Sequence, residues 1–84
     1  MPVVNYNKPR FRKETATEGV IAIGMRYITV YNSGAATGSF GENGQTLSEI
    51  PAGASLTFPF IPGMEYPKME FSATTTTLLI TYII

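Results

Sequence analysis

Residues 73–84 read ATTTTLLITYII, and the placement of this stretch decides the fold. Successive side chains of an extended strand point to opposite faces. Leu78, Ile80, Tyr82 and Ile84 then share one face, and Leu79, Thr81 and Ile83 share the other. Both faces are largely apolar, which does not suit a strand with one side in water. One face is expected to fill the core. The other calls for cover from the N-terminal segment of the same chain or from a neighbouring subunit, because a bare apolar strand recruits stray strands. The run LLITYII is far shorter than the roughly 20 residues of a membrane-spanning helix. It is therefore read as meeting protein, with no membrane partner, and no segment reads as a signal peptide.

The preceding sequence is built in the same way. KMEFSA alternates, with Met69, Phe71 and Ala73 inward and Lys68, Glu70 and Ser72 outward. ASLTFPF places Leu56, Phe58 and Phe60 on one face, and Pro59 marks an edge or a strand end. In YITVYN, Ile28 and Val30 share a face. Glycine and proline divide these runs. Asn43-Gly44 suits a tight hairpin in which both residues take positive φ, and Pro51 to Gly53 makes a second turn. Thr74 to Thr77 reads as a strand start or a turn. Helical periodicity is absent, and short strands recur every 8–12 residues or so. The expected fold is all-β: a small antiparallel β-sandwich or barrel, with two small sheets preferred over a single open one.

The 84 residues make one small domain with a modest core. Domains of this size are commonly reinforced by disulfides, a metal or a partner subunit. The chain has no cysteine and no histidine, which removes disulfides and the usual zinc sites and leaves oligomerisation. Aspartate is also missing, so the common nucleophile–base pairs and triads cannot be assembled. Glu42, Glu49, Glu65 and Glu70 fall in turns or on polar strand positions and read as solvated side chains. No enzyme and no cofactor are expected.

Net charge is zero, but it is divided unevenly. Lys8, Arg10, Arg12 and Lys13 give residues 1–13 a charge of +4, against −4 for the remainder. Residues 1–18 show no sustained periodicity and read as an extended basic arm on a body formed by residues 19–84. Val3, Val4, Tyr6 and Phe11 give the arm apolar anchors that are unusual in a freely solvated segment. Together with Lys8, Arg10, Arg12, Lys13, Ile83 and Ile84, they form the expected partner-binding set. The body is expected to fold without the arm.

GSFGENGQ lacks the spacing of a phosphate loop and reads as a hairpin. KPRFRK interleaves an aromatic with cations, as single-strand nucleic-acid binders do, yet the acidic body offers no matching groove. Tyr27, Tyr31, Tyr66 and Tyr82 could line a sugar-binding surface, although tyrosines also half-bury well on sheets.

The order of YITVYNSG, LSEIPAGASLTFPF and YPKMEFSATTTTLLITYII resembles that of small all-β bacteriophage virion proteins: capsid-decorating, minor capsid or fibre-base modules. The resemblance covers roughly residues 27–84 and implies no catalytic residues. It implies a virion location, self-association as a trimer or pentamer, and attachment to the major capsid protein or another virion protein. The rival expectation is a receptor- or glycan-binding module of a fibre.

Overall fold

A computed structural model describes residues 6–21 and 24–84. Six strands follow one another: β1 (Pro9–Ile21), β2 (Tyr27–Asn32), β3 (Gly38–Glu42), β4 (Ser48–Ile50), β5 (Ser55–Phe58) and β6 (Met69–Ile83). The all-β, antiparallel expectation holds, since every strand pair is antiparallel. The two separate sheets do not appear. One sheet runs β4-β3-β6-β2-β5, with β1 added on β6.

The terminal stretch lies at the centre of this sheet. On one edge of β6, β1 runs alongside from Pro9 opposite Ile83 to Ile21 opposite Met69. On the other edge, β3 pairs with residues 69–72 and β2 with residues 78–83. Both edges near Leu79 are therefore hydrogen-bonded, which answers the hazard of an unpaired apolar strand.

The threonine run is neither strand start nor turn but a bend inside β6. Met69, Phe71 and Ala73 are buried before it, and Thr76, Leu78, Ile80 and Tyr82 after it. The buried set thus moves from odd to even numbers across the exposed Thr74 and Thr75. β1 bends at the same place. Its register shifts between Thr15 and Thr17, and Ala16 takes a left-handed φ of 54°. A bulge of this kind bends a strand pair and increases its twist.

The bend curls the sheet around a core of Ile21, Met25, Ile28, Val30, Phe40, Ile50, Met69, Phe71, Ala73, Leu78, Ile80 and Tyr82. Phe40 on β3 and Phe58 on β5 are separated by β6 and β2 within the sheet. Their rings nevertheless meet across the core, with centroids 5.7 Å apart. Such contact lets a single curled sheet bury the face that two sheets were expected to share.

The structure departs from the sequence pattern at three places. Residues 9–18 belong to β1, so the boundary drawn at residue 18 falls inside a strand rather than between an arm and a body. Phe60 does not continue the inward alternation of Leu56 and Phe58. β5 ends before Pro59, and Phe60 is exposed. At Asn43-Gly44 only the glycine has positive φ, 86°. The Gln45 N–H donates to the Glu42 carbonyl, and residues 43–47 form a connection longer than a two-residue hairpin, so φ need not be positive at both positions.

Asn32 closes the core at the end of β2. Its side chain is buried and fully bonded: Nδ2 donates to the Ala36 and Ile50 carbonyls at 2.7 and 2.8 Å. Oδ1 accepts from the Gly34 N–H at 3.0 Å and the Thr76 hydroxyl at 2.7 Å. Gly34 approaches β6 so closely that a Cβ would strike the Thr76 hydroxyl and lie 2.7 Å from the Thr77 nitrogen.

Candidate functional site

The convex side of the sheet carries the surface with most to offer a partner. Strand register sets its side chains in rows. Pro9, Ile83 and Tyr27 form the first row. Phe11, Thr81, Thr29 and Thr57 form the second, and Lys13, Leu79, Tyr31 and Ser55 the third. Phe11 is 75% exposed, Tyr31 42% and Leu79 37%. Two of the intervening threonines are engaged locally: the Thr29 hydroxyl donates to the Tyr27 hydroxyl at 2.7 Å and lies 3.4 Å from that of Thr57. A shallow groove lined by Phe11, Lys13, Leu79 and Thr81 crosses this face.

The residues singled out from sequence are divided by the fold. Phe11, Lys13 and Ile83 gather on the convex face. Arg10 and Arg12 pair with Tyr82 and Ile80, whose side chains face the core. Arg12 sits 2.9 Å from Glu14 and 5.4 Å from the centre of the Phe71 ring. It thus serves its own chain as a partial lid on the core. Lys8 and Ile84 exchange two backbone hydrogen bonds, at 2.9 and 3.1 Å, extending the β1–β6 ladder. Ile84 also packs against the core. Tyr6 is exposed. Val3 and Val4 lie outside the described residues.

Leu79 and Tyr31 join this surface, although they were not in the expected partner-binding set. The alternation of LLITYII placed Leu79 on the second face of the last strand. Its neighbour Tyr31 lies 48 positions away in sequence and comes beside it only through the β2–β6 register. The four tyrosines do not form one sugar-stacking surface. Tyr82 is buried, and Tyr66 packs on Phe58 while its hydroxyl donates to the Pro59 carbonyl.

Charge is sorted between the two halves of the bent β1–β6 ladder, one on each side of the bend at Ala16. Lys8, Arg10, Arg12, Lys13 and Arg26 belong to the half where β1 begins, with Glu14 and Glu65 among them. Glu18, Glu42, Glu49 and Glu70 occupy the other, with Lys68 alone as counter-charge. Five cations against two carboxylates, and one against four, leave +3 and −3 on the two halves. The pairing of β1 with β6 turns an uneven sequence into a polar object, a pattern suited to orienting encounters between charged surfaces.

No protein-family model matches the chain, and no curated protein or solved structure is detectably similar to it.

Proposed function

We propose that the protein is a structural component of a bacteriophage virion, self-associating and attached to the capsid or to another virion protein. The observation that carries this reading is the exposed convex face of Phe11, Tyr31 and Leu79, bordered by the cationic end of β1. Neighbouring large apolar side chains left in water commonly mark a protein contact. A repeated shell supplies such contacts to a small domain with no disulfide. The sequence resemblance to small all-β virion modules points the same way.

The test is a mass-spectrometric inventory of purified particles, followed by rebinding of the purified protein to particles stripped of it. Stoichiometric presence and saturable rebinding are expected. Absence from the particles would overturn the proposal.

A further inference from the structure

β1 is an edge strand. One side of it is occupied by β6 along its whole length, and among the described residues no strand pairs with the other side. In an L-amino-acid strand, side-chain face and backbone hydrogen-bond direction are coupled, so residues on one face direct their N–H and C=O groups to one edge. Lys8 directs both groups to Ile84. By alternation, Arg10, Arg12 and Glu14 face β6, while Phe11, Lys13 and Thr15 direct their backbone groups outward.

The bend at Ala16 changes the numbering of this outward set. Past it, Thr17, Gly19 and Ile21 lie opposite the buried Ala73, Phe71 and Met69. Glu18 and Val20 therefore take the convex, outward-bonding role. The outward positions are odd-numbered before the bend and even-numbered after it.

This pattern is complementary to itself. We propose that two copies of the chain join through their β1 edges as an antiparallel pair about a two-fold axis between Thr15 and Ala16. Lys13 then stands opposite the partner's Glu18, and Phe11 opposite the partner's Val20. All four are convex-face residues with outward backbone groups, so each pair exchanges two main-chain bonds. Phe11 and Val20 are large apolar side chains that the single chain leaves 75% and 44% exposed, and the pairing covers each with the other. The ion pair joins the cationic half of one copy to the acidic half of the other.

The neighbouring same-face registers lose this match. Sliding the partner by two residues sets Phe11 against Glu18 or Lys13 against Val20. Without the phase change at Ala16, an odd-numbered residue could not meet an even-numbered one on the same face. Proline, lysine and a bulge on an edge deter indiscriminate pairing, and β1 has all three in Pro9, Lys13 and Ala16. A second copy of β1 supplies the glutamate that balances Lys13, which makes the edge selective rather than closed.

This inference deepens the self-association proposed above, but its test needs no particles. A dimer that never binds particles would remove the virion reading alone. A protein that binds particles as a monomer would remove only the dimer.

The experiment is sedimentation equilibrium on the full chain and on Lys13→Glu, Glu18→Lys and the double exchange. The wild type is expected to be dimeric at micromolar concentration. Each single exchange should weaken association by about 10-fold or more, a change of about 1.4 kcal/mol, and the double exchange should restore it to within about 3-fold of the wild type. A monomeric wild type, or a double exchange no tighter than the singles, would overturn the proposal. If a single variant fails to fold, hydrogen exchange on the wild type decides. Slowed exchange at the Phe11, Lys13, Glu18 and Val20 amides that is lost on dilution supports the pairing, and concentration-independent exchange there refutes it.

Discussion

The hydroxyl of Thr76 donates a 2.7 Å hydrogen bond to Oδ1 of Asn32, a residue 44 positions earlier, and both side chains are buried. The same amide bonds the Ala36 and Ile50 carbonyls and the Gly34 N–H. One side chain thus ties the end of β2 to the loop after it, the end of β4 and the bend of β6. A buried polar group with every partner in place stabilises, whereas removing it leaves several desolvated groups unpaired.

Asn32→Ala is accordingly expected to lower unfolding free energy by about 3 kcal/mol, and Thr76→Val by about 1–2 kcal/mol. Urea unfolding of the purified variants measures both. A loss under about 0.5 kcal/mol for Asn32→Ala would show that water replaces the network without penalty.

Gly34→Ala should be as damaging as the loss of Asn32, for a different reason. Its Cβ meets the Thr76 hydroxyl and the backbone of Thr77, and backbone cannot move aside as a flexible side chain can. A loss of about 2 kcal/mol or more is expected in the same urea titration.

Ala16 holds a left-handed φ of 54° at the bend of β1. That conformation costs an L-residue about 1–2 kcal/mol relative to glycine, against an entropic penalty for glycine of about 0.5–1 kcal/mol. Ala16→Gly should therefore be neutral or stabilising by up to about 1 kcal/mol. A glycine at Thr29, within regular strand, should destabilise instead. Paired thermal melts check the contrast.

Removing Leu79 to Ile84 should abolish folding. The deletion takes Ile80 and Tyr82 from the core and the C-terminal pairing partners from both β1 and β2. Each large apolar side chain buried contributes roughly 1.5–3 kcal/mol, against total stabilities of about 5–15 kcal/mol. A cooperative melt of the truncated chain would contradict the central position of β6.

Deleting residues 2–13 distinguishes a passive arm from a strand. A separable arm would leave stability unchanged. Here the deletion uncovers β6 at residues 79–83 and removes Arg12 from the Phe71 ring. A loss of about 2 kcal/mol or more is expected, read by chemical denaturation.

The sequence by itself determined the all-β class and the alternating faces of most strands outside β1. Alternation is a local property of an extended chain. It marked Met69, Phe71 and Ala73 as inward, and all three are buried. It set Leu78, Ile80 and Tyr82 on one face without choosing between the two, and that is the face the structure buries. It also marked the last strand as apolar on both faces; the structure pairs both edges of β6 but leaves the second face partly open, with Leu79 exposed.

Tertiary structure decided what lies beside what. The segment at residues 9–18 has no period of its own, because β1 is an edge strand whose side chains are mostly solvated, and burial is what imposes a period. Its place was set by β6, which supplies the ladder. Curling was equally invisible: Thr74 to Thr77 bend the sheet only because Ala16 yields opposite them and Phe40 meets Phe58 across the core. The convex surface combines Phe11, Leu79 and Tyr31 from three distant stretches. Local sequence fixes which way a side chain points along its own strand, but long-range backbone pairing chooses its neighbours, and neighbours make a binding surface.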